Sequence, residues 1–244
     1  MKSNIHRDQN MDYKEHYHQD ALVFDYFRPE KLTPGEIRRT QYTLSLCEIK
    51  PGMRVLDVGS GRGWFSLAAA RLGAEVTALD LSEENLARIK KENPSIRTVY
   101  ADACAIPDLG KFDLAVALEV LEHLVEPELA LRSIRERLNP DGTLLVTVPY
   151  NEVIKYSLCI HCNQKTPMNA HLHSFNRESL AALLVKNGFR VEATKLFYHR
   201  ALDVLRINAL CRRFPLGVWK ILERLAGISG DKYSYLAVRA RASR

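Results

Sequence analysis

Apolar residues fall in short, separated runs along the first two thirds of the chain, and amphipathic stretches lie between them. Val55-Leu56-Asp57-Val58, Glu75–Asp80, Ile96–Tyr100, Phe112–Leu118 and Thr143–Val148 read as five strands. FDLAVAL (112–118) is apolar at successive positions, which suits a strand covered on both faces of a parallel sheet. Between the runs the period changes to that of a helix. Thr33-Pro34-Gly35-Glu36 predicts a capping box and a helix to about Cys47, with Ile37, Tyr42, Leu44 and Leu46 available to pack. Phe65, Leu67, Ala68, Ala69 and Leu72 mark a second helix, and Ser82 caps a third that Pro94 stops. A fourth starts at Pro127 and ends near Leu138, where Asn139-Pro140-Asp141-Gly142 turns the chain into the fifth strand. Asn176 caps a helix carrying Leu180, Leu183, Leu184 and Val185, closed by Asn187-Gly188. Strands alternating with helices imply a parallel sheet with right-handed crossovers, whose ligands bind beyond the carboxyl ends of the strands.

The first of those ends carries unusual chemistry. VLDVGSGRGWF (55–65) places Gly59, Gly61 and Gly63 between strand and helix, with Asp57 two residues before the first glycine. The spacing is G-x-G-x-G and departs from the G-x-G-x-x-G of dinucleotide folds. An acid there suits a ligand with a cationic end and no pyrophosphate. Asp80, Asp102 and Glu119 fall at or near the ends of the next three strands.

These features resemble the class I S-adenosylmethionine-dependent methyltransferases over about Met53–Phe189, nearest to the branch of the ubiquinone-biosynthesis O-methyltransferases. The resemblance implies an α/β fold in three layers: a seven-stranded, mostly parallel, doubly wound Rossmann-like sheet with an antiparallel last strand. Phe189–Phe197 and Tyr233–Arg241 fit its sixth and seventh strands. It also implies S-adenosylmethionine as cofactor. Gly59, Gly61 and Gly63 would border the methionine moiety, Asp80 would bind the ribose hydroxyls and Asp102 the adenine amino group; Asp57, Leu81, Ala103 and Glu119 would complete the cofactor-binding set.

The motif EVLEHL (119–124) offers two readings. His123, with Glu119, is a candidate general base for an oxygen acceptor, since an ordinary imidazole titrates near neutrality. The same residues resemble the metal-dependent small-RNA 2′-O-methyltransferases, which implies a divalent ion at Glu119, Glu122, His123 and His173. A second constellation competes for His173. Cys159 and Cys162 at C-x-x-C spacing, with His171 and His173 nine residues on, form a candidate zinc site in a loop otherwise without periodicity.

Composition adds a partner. Of the net charge of +6, the segment from Lys195 onward holds eleven Lys/Arg against three Asp/Glu. Within it Leu202, Val204, Leu205, Ile207, Leu210, Val218, Trp219, Ile221, Leu222 and Leu225 recur at helical spacing, interleaved with Arg206, Arg212, Arg213, Lys220 and Arg224. This reads as a helical lid on the sheet, or as an interfacial helix pair for an anionic membrane near a lipid-linked acceptor; nucleic acid fits less well because stacking aromatics are sparse. The organisation expected is an arm and helix covering the site (1–50), the cofactor-binding core (51–198) with a Cys/His insertion at 150–175, a basic amphipathic insertion (199–232), and a last strand with its tail (233–244). The N-terminal stretch lacks the apolar core of a secretory signal, and the odd number of cysteines, five, argues against a disulfide framework; both point to a cytoplasmic protein, peripheral to the membrane if the interfacial reading holds. The acceptor is a small molecule or lipid-linked. A non-catalytic S-adenosylmethionine-binding subunit is the alternative of a different class.

Overall fold

The computed structural model describes residues 33–160, 163–205, 207 and 214–243, together with 15, 16 and 19. Most of the N-terminal arm lies outside the described residues, as do Cys162, Leu210, Arg206, Arg212 and Arg213.

The element order begins with α1 (Pro34–Cys47), β1 (Arg54–Val58), α2 (Trp64–Arg71), β2 (Glu75–Asp80), α3 (Glu83–Glu92), β3 (Arg97–Tyr100) and β4 (Phe112–Leu118). It continues with α4 (Pro127–Arg137), β5 (Leu138–Pro149), β6 (Tyr156–Leu158), β7 (Lys165–Pro167) and α5 (Arg177–Lys186). Then come β8 (Phe189–His199), α6 (Arg200–Val204), α7 (Leu216–Ala226) and β9 (Tyr233–Ala242). The caps read from sequence form as expected: Thr33 and Glu36 make a reciprocal capping box, and Ser82 and Asn176 accept from the third backbone N–H of their helices.

Seven strands make one sheet in the order β3-β2-β1-β4-β5-β9-β8. β1 to β5 pair in parallel, and β9 runs antiparallel to both β5 and β8. Because side chains alternate across a strand, the apolar runs feed two cores. Leu56, Val58, Ala115, Ala117, Leu144, Val146 and Val238 pack beneath α4 and α5, against Leu131, Ile134, Leu180 and Leu184. Val55, Ala78, Leu114, Val116 and Leu145 pack on the opposite face with Cys47, Phe65, Leu67, Leu86 and Ile89. The three-layer α-β-α architecture follows.

Three expectations need correcting. Strand β5 begins at Leu138, not Thr143: Phe112 pairs with Leu138 and Leu114 with Thr143, so Asn139-Pro140-Asp141-Gly142 stays in the strand as a bulge rather than leaving it as a turn. Leu72 lies past the end of α2 and is half exposed, so it adds nothing to the core. The segment from 150 to 175, expected to be irregular, contains the β6–β7 hairpin. Among the described residues no helix is long and apolar enough to cross a membrane.

Candidate active site

The loop after β1 sits against the end of β2, because Gly59 and Ser60 both donate their N–H to Leu79 O, at 2.8 and 2.9 Å. Gly59, Gly61 and Gly63 have φ of 68°, 48° and 70°, where side chains are disfavoured. Their surroundings differ. A Cβ on Gly59 would lie 2.6 Å from Val120 Cγ2 and one on Gly63 2.4 Å from Ile89 Cγ1, whereas one on Gly61 would meet nothing within 4 Å. Two glycines therefore serve packing, and the third presents bare backbone to open space at the strand ends. That is the surface an S-adenosylmethionine would need.

Three acids lie on β1, at the end of β2 and just after β3. Asp57, buried in β1, accepts from Ser66 Oγ at 2.6 Å, and burial pushes its carboxyl up to about 7, with the Ser66 hydroxyl opposing and Asp80 adding to the rise. Asp80 holds the loop to the start of α3: its Oδ2 accepts from Gly61 N at 2.7 Å and its Oδ1 from Ser82 N at 2.9 Å. Burial raises its carboxyl too, against the pull of those N–H groups. A carboxylate with one N–H on each oxygen keeps lone pairs for hydroxyl donors. Asp102 follows β3 and accepts from Cys104 N at 2.9 Å, opening a 3₁₀ turn that buries Ala103. Leu81 sits half-buried between Asp80 and the cap at Ser82.

At the end of β4 the chain turns through Glu119, whose φ of 58° is a rare conformation for a side chain of its size. Its N–H donates to Thr147 O at 2.9 Å and its Oε1 accepts from Thr147 Oγ1 at 2.8 Å. Burial raises its carboxyl, and the charge of Arg39 on α1 opposes that rise. Arg39 Nη1 donates to the Tyr235 hydroxyl at 3.0 Å. Glu122 is fully buried, and neither carboxylate oxygen has a hydrogen-bond donor among the described residues. Burial, then the nearby Glu119, holds its carboxyl well above the ordinary range.

His123 Nε2 lies 4.0 Å from Glu122 Oε1, and its ring meets His171 edge-on with centroids 4.7 Å apart. Burial, then His171 with a smaller share from His16, lowers its imidazole to about 4. It is thus neutral at physiological pH, a nitrogen that accepts rather than a group titrating near 7, and the ground on which it was read as a base changes accordingly. His171 Nδ1 hydrogen-bonds the Glu152 carboxylate, and His173 Nε2 turns away to Leu124 O at 2.8 Å.

Among the described residues, Glu122, His123 and His171 bring their ligand atoms within 4.8 Å of one another. The histidine in that group is His171, in place of the expected His173. The Cys/His constellation fares differently. Cys159 hydrogen-bonds Gln164 O within the β6–β7 hairpin, Cys162 lies outside the described residues, and Cys159, His171 and His173 form no such group. Backbone contacts hold the later part of this loop: Leu172 N and His173 N donate to Glu122 O at 2.7 and 3.2 Å, and Ser174 Oγ donates to Glu152 O at 2.7 Å. Arg39, Tyr235 and Glu152 were missed by sequence reasoning. Each comes from a segment distant in the chain with no motif around it.

Residues 24–194 match the family model described as "Methyltransferase domain", well over half of the chain. The chain belongs to this family, the class I S-adenosylmethionine-dependent methyltransferases. The methyltransferase is similar to the ubiquinone biosynthesis O-methyltransferase of Xanthomonas campestris pv. campestris (strain B100), 37% identical over 116 residues that cover 45% of this chain and 48% of the relative. It thus spans about half the length of the first curated relatives it matches. The relative of the same name from Xanthomonas euvesicatoria pv. vesicatoria (strain 85-10) is 30% identical over 166 residues, 63% of this chain and 69% of that one. Among solved structures, the methyltransferase superimposes on the Burkholderia thailandensis 1,6-didemethyltoxoflavin-N1-methyltransferase, which has S-adenosylhomocysteine bound. The TM-score is 0.56 at 19% identity, over 94% of this chain and 84% of that one, a likeness of fold.

Proposed function

We propose that this protein transfers a methyl group from S-adenosylmethionine to an oxygen of a small-molecule or lipid-linked acceptor. The single observation behind this reading is Gly61: bare backbone facing open space, its N–H held by Asp80, with Asp57 on β1 and Asp102 just after β3. S-adenosylmethionine, when bound, supplies the electrophilic methyl. The chain's own part is to hold that nucleoside and align the acceptor, which is where much of the acceleration of an in-line displacement arises. Glu119 and His123 border the acceptor side, both as proton acceptors. The oxygen preference comes from the name of the curated relatives.

Calorimetry with S-adenosylhomocysteine tests this reading. Binding by the wild type, weakened about tenfold or more by Asp80→Ala through lost hydrogen bonds to a charged group, is the expected result. Absence of binding by a folded wild type overturns it.

The cluster Glu122–His123–His171, with Glu119 beside it, favours a second component of the same reading: a divalent ion. Two buried carboxylates, one without a donor among the described residues, and two imidazoles are a donor set that a hard or borderline cation satisfies. The ion would remove the cost of burying the carboxylates and would bind acceptor oxygens. Metal analysis after reconstitution with manganese should find about one equivalent, lost in Glu122→Gln; no metal in the wild type removes this component and leaves methyl transfer standing. An RNA 2′-O acceptor would share this cluster, and methylation of RNA by the loaded protein would favour it over a small molecule.

The third component is an anionic membrane surface. On α7, Val218, Ile221 and Leu225 form an exposed stripe that Ile228 extends, while Trp219 and Glu223 face inward. Arg224 and Lys220 lie along one side of that stripe. Apolar residues facing water beside cations suit a lipid headgroup layer.

A further inference from the structure

A cavity of 510 Å³ opens beyond the ends of β5 and β8. Its walls include Asn151, Glu152 and Lys155 after β5, Met168 and Asn169 after β7, and Arg200 at the start of α6. Three separate segments therefore converge on one opening. Glu152, on the same lining, has its carboxylate hydrogen-bonded to His171 Nδ1. Lys155 and Arg200 each lack an ion pair among the described residues, leaving two cations facing the same space. Asn151 and Asn169 hold left-handed backbones, φ 47° and 60°, and each adds an amide to the lining.

The cavity is joined to the candidate active site through a continuous set of contacts. Glu152 lines it and bonds His171, and His171 packs against His123 beside Glu122. A molecule filling the cavity would reach toward Glu119 and His123 past that wall. Two exposed cations against one carboxylate leave the lining a positive surplus, and that matches an oxyanion, which a guanidinium can grip with two parallel N–H bonds and an ammonium with one.

We propose that this cavity is the acceptor subsite and that it selects acceptors carrying an oxyanion, a carboxylate or a phosphate, held by Arg200 and Lys155. The proposal rests on the methyltransferase reading for the word acceptor, and on the cavity alone for the anion.

Ligand-observed NMR on protein saturated with S-adenosylhomocysteine tests it, using 4-hydroxybenzoate, 4-hydroxyphenyl phosphate and uncharged phenol as probes. At least one anionic probe should bind about tenfold or more tightly than phenol, and the two anions compared with each other identify which oxyanion is preferred. Lys155→Gln combined with Arg200→Gln should weaken the anions by about ten- to a hundredfold, the range of a lost hydrogen bond to a charged group. Arg200→Lys should retain part of the affinity. The affinity for S-adenosylhomocysteine should be unchanged in all variants, which also shows that they fold. Equal binding of all three probes, no anion binding at all, or anion binding indifferent to the double substitution overturns the proposal. Failure of the wild type to bind S-adenosylhomocysteine sinks the methyltransferase reading instead; the same anion titrations, run without it, then decide the cavity on their own.

Discussion

At the scale of single residues, Asp57 is the most exposed to test. Its carboxyl titrates near 7 in the fold and near 3.9 in an unfolded chain. A raised carboxylate binds its proton more tightly when folded, so the contribution to stability is full below about pH 4 and is lost as pH rises to about 7. The effect is on the order of 4 kcal/mol, since each tenfold change in proton affinity is about 1.4 kcal/mol. Asp57→Asn, which keeps an acceptor for Ser66 Oγ, should therefore gain in thermal midpoint over the wild type as pH is raised from 4 to 7, with a constant difference above that. Parallel melting curves across this range would show instead that Asp57 is charged and otherwise balanced. Asp80, which raises the Asp57 carboxyl, should stay in place as the control. Gly63→Ala makes a steric counterpart. At φ 70° with Ile89 Cγ1 2.4 Å from the added carbon, it should cost at least ~1 kcal/mol in denaturant unfolding. Gly61→Ala, with open space around its Cβ, should cost less in stability and more in cofactor affinity.

Among the elements, α7 combines two faces with different duties. Trp219 is fully buried against Tyr42 of α1, with rings 5.6 Å apart, and Glu223 accepts the His199 N–H on both oxygens, at 2.9 and 3.1 Å. Lys220 reaches Ser45 Oγ at 2.9 Å. The helix is thereby bound to both α1 and the end of β8. Trp219→Ala should lose about 3–5 kcal/mol of stability in urea unfolding, the usual cost of emptying a large aromatic site. Ile221 and Leu225 are 61% and 56% exposed, so replacing both with Ser should leave the melting temperature within a degree or two. The same double variant should lower cosedimentation with vesicles containing anionic lipid several-fold. Equal sedimentation of variant and wild type, or binding that ignores salt and headgroup, would remove the membrane from the picture.

For the whole molecule, the sheet and its two cores follow from runs such as FDLAVAL, whose alternate side chains enter opposite layers. The geometry of the glycine loop and the positions of its acids were equally legible, because each of these residues sits within a few positions of a strand end. The cluster after β4 was only half legible. Glu119, Glu122 and His123 are adjacent in sequence, but the choice of His171 over His173 depends on which ring reaches Glu152, 19 residues away. Arg39 and Tyr235 meet across 196 residues, and no local pattern marks such a pair. The Cys-x-x-Cys spacing shows the opposite limit: it marks the turn between β6 and β7 but does not say which side chains that turn brings together.

Strand β9 carries a consequence for biogenesis. It lies between β5 and β8, both of which leave the ribosome before it, and it sends Leu236 and Val238 into one core and Ala237 into the other. Until residue 233 and its successors emerge, two nascent edges face each other across an empty lane, each able to recruit a stray chain. A product ending at residue 232 should therefore precipitate or stay bound to chaperones, and supplying 233–243 as a separate peptide should rescue it in part. Synthesis and assembly run in different orders here, and the final stitch closes the fabric from the middle.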